Sequence, residues 1–208
     1  MVRMRSTNIS WVDLPVEKTV LVIVDMQNEF LREGGSRYVG PHSKETVRSV
    51  LNLLEHARAA GVRVIFIQST RYQDSPEHKV FGVKSHLIEG SWGHKIIEEL
   101  EPKEGETVIK KFSHDPFNST PFEELLSQMA SDPTTLHVVV TGVMTNICVY
   151  HTVTGLSVRN YRVYVPVDCC CSTDAASHEW ALRQFAHPAY SYNVTLTESD
   201  KINFVKNS

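Results

Sequence analysis

TVLVIVD, residues 19–25, is an unbroken apolar and β-branched run that ends in a carboxylate. It leaves no polar face, so it reads as a strand buried on both sides, the habit of a parallel sheet. The rest of the chain repeats the theme. After a loop with Gly34, Gly35 and Gly40-Pro41, SKETVRSVLNLLEHARAAG (43–61) places Val47, Val50, Leu51, Leu54 and Ala57 at helical spacing. Ser43 reads as its cap and Gly61 as its stop. Further strands are expected at VRVIFIQST (62–70), TVIKK (107–111), LHVVVTG (136–142), YRVYVPVD (161–168) and YNVTLT (192–197). Between them, helices are expected at HKIIEELEP (94–102), at PFEELLSQMA (121–130) capped by Thr120, at NICVYHTVTGLSVRN (146–160) and at STDAASHEWALRQFA (172–186). Strands alternating with helices predict a doubly wound α/β fold, here one domain over residues 1–208 without repeats or linkers. Ligands of such sheets bind beyond the carboxyl ends of the strands. The polar segment 71–91 is longer than an ordinary connection, as functional loops often are.

Composition narrows the function. Of 208 residues 41% are apolar, enough for a full core, and the formal net charge is -3. No basic run exceeds two residues, which argues against a nucleic-acid partner. The longest apolar run, VLVIV at 20–24, is far short of a membrane span. MVRMRSTNISWVDLP carries Arg3 and Arg5 with no apolar stretch behind them, so it does not read as a signal peptide. Three of the four cysteines are consecutive, Cys169, Cys170 and Cys171, and Cys148 stands alone. Adjacent cysteines pair poorly, so no disulfide framework is expected, and a reducing, cytoplasmic setting follows. A small molecule remains as the expected partner.

Three residue types with chemistry stand where the alternation ends its strands. Asp25 is either a strand-end acid that caps a loop or a partly desolvated general base. Lys111, with Lys110 holding an equal claim, is either a solvated loop residue or an inward charge. Cys148 follows the strand–turn junction TGVMTNIC, and is either a small buried hydrophobe or a thiol activated near a helix N-terminus, where dipole and free N–H groups favour a thiolate.

VIVDMQNEF (22–30), VIKKFSHDPFNST (108–120) and TGVMTNICV (141–149) together resemble the isochorismatase-like cysteine hydrolases, with the likeness running from about residue 17 to 200. The resemblance implies a six-stranded parallel sheet in the order 3-2-1-4-5-6 with helices on both faces. It implies an Asp25–Lys111–Cys148 triad, Lys111 being selected over Lys110 by its spacing to Phe117. It also implies a cis peptide between Val143 and Met144, with the Met144 and Cys148 N–H groups holding an oxyanion. In the implied mechanism Asp25, helped by the charge of Lys111, takes the thiol proton. The thiolate attacks an amide or ureido carbonyl, Asp25 returns the proton to the departing nitrogen, and water cleaves the thioester. No cofactor is implied, and a homodimer or homotetramer is.

Departures from the family pattern narrow the substrate. Nicotinamidases of this family carry a metal-binding Asp-x-His. STRYQDSPEHK has Asp74 and His78 at a different spacing, with His86 and His94 after it, so a metal-independent enzyme is expected. Cys148 argues against cleavage of an enol ether. HLIEGSWGHKIIEELEPKEGETVIKK resembles members acting on carbamoyl or ureido compounds. Gln27, Phe30, Phe117 and Asn146 are candidate pocket residues, with Trp92 and Tyr150 behind them. The cysteine run is expected to fill a turn, and Asp168 to be structural. The leading expectation is a cysteine-dependent hydrolase of a small amide, carbamoyl or ureido C–N bond. The alternatives are a metal-dependent nicotinamidase-type amidase and a non-catalytic α/β binding protein.

Overall fold

The computed structural model describes residues 9–206, so Arg3 and Arg5 lie outside the described residues. In chain order the strands are β1 Val12–Pro15, β2 Thr19–Val24, β3 Arg63–Ser69, β4 Thr107–Lys111, β5 His137–Val143, β6 Arg162–Pro166, β7 Cys170–Cys171, β8 Val194–Thr197 and β9 Ile202–Val205. The α-helices are α1 Asn28–Leu31, α2 Ser43–Ala60, α3 Pro76–Lys79, α4 Phe122–Met129, α5 Tyr150–Ser157 and α6 Ala175–Phe185.

Every residue of β2 is buried, because it is the central strand of a parallel sheet ordered β4-β3-β2-β5-β6-β8. Counting these long strands along the chain gives the order 3-2-1-4-5-6. Side chains of a strand alternate between faces, and β2 divides accordingly. Val20, Val22 and Val24 pack with Leu126, Val153, Leu156, Leu182 and Phe185 from α4, α5 and α6. Leu21 and Ile23 pack with Val50, Leu53, Leu54 and Ala57 of α2. Each such side chain contributes roughly 1.5–3 kcal/mol on burial, so the apolar run seen in the sequence anchors both layers. Gly61, at φ 89°, ends α2 as expected.

Cys169, Cys170 and Cys171 are all buried. β5 pairs with β6 only as far as Val139↔Tyr164, after which β6 leans toward β8. A 3-10 turn at Val167–Cys169 returns the chain, and β7 takes the vacated place with Gly142↔Cys170 and Val143↔Cys171. Small side chains suit that jog, and burial pushes the Cys170 thiol well above its ordinary value. Asp168 accepts from the Ser199 N–H and hydroxyl, a structural bond.

Several local expectations need correction. Residues 94–102 are not a helix beyond a single 3-10 turn, Glu98–Leu100. Their backbone bonds instead to the chain after β2, with Asn28 N–H on Lys95 O, Ile97 N–H on Met26 O and Gln27 bridging Ile96. The helix expected over 146–160 opens as a π-turn, Thr145–Val149, before α5. Ser43 is the first residue of α2 and not its cap; its hydroxyl donates to Gly40 O. Thr120 accepts from the Phe122 N–H, with Pro121 ahead of α4. β1 and β9 form a separate parallel pair that carries Leu14, Ile202 and Phe204 against the α2 layer.

Gly142 holds φ 117°, and a Cβ there would stand 2.0 Å from Val24 O, on the backbone of β2. Gly142→Ala is expected to force the two central strands apart at the edge of the site and to lower stability by about 3 kcal/mol. An unchanged urea midpoint in the variant would show that the strands do not approach in this way.

Candidate active site

Asp25 is the first residue beyond β2, and it leaves the sheet with φ 53°, a left-handed conformation that costs aspartate about 1 kcal/mol. Its N–H still bonds to Ile67 O at 2.9 Å, so the turn is pinned to β3. The side chain is wholly buried. Oδ1 accepts the Ser69 N–H at 2.9 Å and Oδ2 stands 2.8 Å from Lys111 Nζ.

Lys111 ends β4 opposite Ser69 in the register with β3. Its ammonium donates to Ser69 Oγ at 2.6 Å, Ser113 O at 3.2 Å and Cys148 Sγ at 3.2 Å. Adjacent strand residues face opposite ways, so Lys110 points out and pairs with Glu89 at the surface. Lys111 is fully buried, which by itself would lower its pKa. The Asp25 carboxylate facing it outweighs this and holds the ammonium above its ordinary value. The ammonium therefore stays protonated, 2.8 Å from the carboxylate.

Cys148 lies late in the π-turn and is 5% exposed. Burial first, and then the Asp25 carboxylate, push its thiol up to about 12 against the opposing pull of Lys111. Burial and Asp25 thus oppose the thiolate that a helix start would favour, while Lys111 supports it. The resting state is a neutral thiol beside an ionised Asp25–Lys111 pair. His114 Nδ1 stands 3.7 Å from Sγ.

Cys148 opens on a cavity of about 320 Å³ whose walls include Phe30, Ser69, Arg37, Arg71, His114 and Met144. Asp25 and Lys111 do not line it; they stand behind the sulfur. A larger recess of about 590 Å³ near His42, Cys171 and His178 holds none of the three. The peptide between Val143 and Met144 is cis, and Met144 and Cys148 both reach the cavity wall.

Of the expected pocket residues, Phe30 lines this cavity and the others do not. Gln27 is buried behind it, accepting the Ser69 N–H at 2.9 Å and donating to His94 O at 2.7 Å. Phe117 packs on Phe122 and under the Arg159 guanidinium, 3.9 Å from the ring centroid. Asn146 accepts from the Ser172 hydroxyl. Tyr150 stacks on Phe185 and Trp180, and Trp92 lies over Gly34, both away from the cavity. The histidines of the 71–94 segment are dispersed. His78 and His86 meet edge to face at 5.6 Å, whereas His94 is buried against Thr70, and Asp74 is exposed. Among the described residues no group of three His, Cys, Asp or Glu converges to hold a metal.

Residues the sequence reading passed over are Ser69, Arg71, Glu77 and His114. Arg71 is buried and ion-paired with Glu77, and Arg37 adds a second cation at the wall. Ser69 and Arg71 lie at the carboxyl end of β3, where ligands of such sheets bind, and His114 sits inside the VIKKFSHDPFNST motif.

Comparison with known proteins follows the same lines. The family model described as Isochorismatase domain matches residues 19–199. Ureidoacrylate amidohydrolase RutB of Serratia proteamaculans (strain 568) is 29% identical over 201 residues, covering 86% of this chain and 76% of the relative. N-carbamoylsarcosine amidase from Thermoplasma acidophilum superposes with a TM-score of 0.72 at 30% identity, over 88% of this chain and 97% of that one. A cysteine hydrolase from Pseudomonas syringae pv. phaseolicola 1448A has the same fold, with a TM-score of 0.80 at 22% identity over 94% and 95% of the two chains.

Two measurements probe the site's electrostatics. Lys111→Met strands the Asp25 charge in the interior and is expected to cost about 3–5 kcal/mol; loss of less than about 1 kcal/mol in urea unfolding would mean the pair is not buried. Alkylation of Cys148 by iodoacetamide is expected to be slow at neutral pH and to keep accelerating above about pH 10, because only the thiolate reacts. A plateau reached below neutrality would contradict the neutral-thiol resting state.

Proposed function

The chain belongs to the isochorismatase family, and on that footing we propose that it is a cysteine-dependent amidohydrolase that cleaves a C–N bond of a small carbamoyl or ureido acid through a thioester on Cys148. The observation that carries the reading is a nucleophile 3.2 Å from a buried ammonium that is itself locked to a buried carboxylate. A neutral thiol must lose its proton as it attacks. Asp25, ionised beside it, is the base, and Lys111 offsets the negative charge that then grows on sulfur. The N–H groups of Met144 and Cys148 are proposed to receive the oxyanion. The thiol proton leaves with the amine or ammonia, and water releases the acyl group.

The acid part of the substrate is supported by the cavity wall. Among the residues that line the cavity, Arg37 and Arg71 stand with one acid, Glu77, paired to Arg71, while Glu29 acts from behind the wall, so the lining itself holds one positive charge more than negative. Burial, and then the charges of Arg37 and Arg71, hold His86 below its ordinary pKa, which reflects the same field. A carboxylate on the substrate would meet that surplus. The similar proteins whose names carry ureidoacrylate and N-carbamoylsarcosine point to the same class. We place the enzyme in the cytoplasm, because all four cysteines are free, and propose that it acts as a homo-oligomer. Among the described residues no helix is long and apolar enough to cross a membrane.

The test is ammonia release from a panel of N-carbamoyl amino acids and ureido acids, run beside the corresponding neutral amides. Turnover is expected for the acids, and Cys148→Ala should reduce it at least about 10,000-fold with folding retained. A Cys148→Ala enzyme with undiminished turnover would remove the proposal.

A further inference from the structure

The mechanism above leaves one step without a partner. Asp25 and Lys111 flank Sγ from the interior, and neither side chain is exposed or lines the cavity. They can handle a proton that starts on sulfur. The water that must cleave the thioester starts elsewhere, in the cavity, on the far side of the acyl group. There the titratable group nearest the sulfur is His114. Its ring lines the cavity, it is exposed to solvent, and Nδ1 stands 3.7 Å from Sγ.

The location is fixed by the surrounding chain. Lys111 Nζ bonds to Ser113 O, the residue just before His114. The Ser113 hydroxyl donates to Asp115 O, and the Asp115 carboxylate accepts the Phe117 N–H at 2.9 Å. Phe117 then closes against Gly155 of α5, where any larger residue would collide with its ring. The loop is thus held at both ends while the imidazole projects from its middle. The charges facing that imidazole are Lys111 from β4, His151 from α5, Arg71 beyond β3 and Asp25 beyond β2. His151 stands 5.7 Å away, ring to ring, and its own Nδ1 is engaged by Ile147 O at 2.7 Å. Burial, then Lys111 and His151, hold His114 below its ordinary pKa, so it is neutral and able to accept a proton at neutral pH.

We propose that His114 is a second catalytic base, dedicated to hydrolysis of the thioester. This rests on the thioester reading given above. Water attacks the acyl carbon, forming the new C–O bond while one of its protons passes to His114 Nδ1. The tetrahedral intermediate collapses, the C–S bond breaks and its electron pair goes to Sγ. The imidazolium then returns its proton to the sulfur, and the carboxylic or carbamic acid leaves a neutral Cys148 thiol. Atoms balance with water as the only co-reactant, and each proton transfer spans groups already side by side. Two bases on opposite faces of one sulfur divide the cycle: Asp25 serves formation of the thioester and His114 its removal.

The experiment separates the two halves with p-nitrophenyl acetate, which acylates a thiol and releases a coloured leaving group. In His114→Gln the initial burst of p-nitrophenol should keep its rate, while the steady phase that follows slows by about 100-fold. In His114→Gly, added imidazole should raise the steady phase above its own hydrolysis of the ester, measured with Cys148→Ala under the same conditions, and leave the burst unchanged, a rescue that a merely structural role would not give. An unchanged steady phase in His114→Gln, or burst and steady phase falling together, overturns the assignment. Wild-type release that Cys148→Ala does not abolish overturns it differently, by removing the thioester itself.

Discussion

The buried ion pair between Asp25 and Lys111 is the constraint on which this structure turns. Two charges removed from water cost several kcal/mol each unless geometry returns it. Here Ser69 supplies both an N–H to the carboxylate and a hydroxyl to the ammonium, and Ser113 O and Cys148 Sγ complete the set. Those partners come from β2, β3, β4 and the π-turn, so the pair can exist only when the register of the central strands is right. Gly142 allows β2 and β5 to approach closely enough for this, and Gln27 holds Ser69 from behind. The sheet is therefore a device for bringing one carboxylate, one ammonium and one sulfur within bonding distance in a dry place.

That dryness sets the chemistry. A thiol near a helix start in water would ionise readily. Buried and near a carboxylate, it does not: the thiol is held up at about 12, with the Lys111 ammonium 3.2 Å from its sulfur. Such a nucleophile is shielded from incidental oxidation or alkylation, and is discharged when a carbonyl arrives to accept the electrons. The cavity has the opposite character. It opens to solvent at the exposed His114, which stands 3.7 Å from the sulfur, and its lining carries surplus positive charge from Arg37 and Arg71. In the proposed cycle, protons are handled in the interior when sulfur gives one up, and in the cavity when water does.

Much of this was legible in the sequence, and the parts that were not share a cause. Burial on both faces of TVLVIVD follows from its lack of a polar face, and the alternation of elements gave the doubly wound layers. Lys111 against Lys110 was undecidable from local chemistry, because both end the same strand; strand register decides it, and motif spacing to Phe117 stood in for that register. Phe117 itself was read as a pocket residue because it is close in sequence to Lys111, yet Arg159 and Phe122 draw it into the core. Arg71 and His114 were missed for the converse reason: their role depends on which way a loop turns after its strand ends. Residues 94–102 have helical composition, but tertiary bonds to Met26 and Gln27 outbid a helix too short to be stable alone. The π-turn at Cys148 has no pattern that periodicity could detect.

The central claim is that the sulfur of Cys148 becomes covalently attached to the substrate's acyl group. It is tested most directly by acid-quenching the enzyme during turnover of a reactive carbamoyl or acyl substrate and mapping the adduct by peptide mass spectrometry. One acyl group is expected, on the peptide that contains Cys148, absent in Cys148→Ala and accumulating in His114→Gln. Turnover with no adduct on that peptide in wild type or in His114→Gln, or an adduct on Cys169, Cys170 or Cys171 instead, would contradict it.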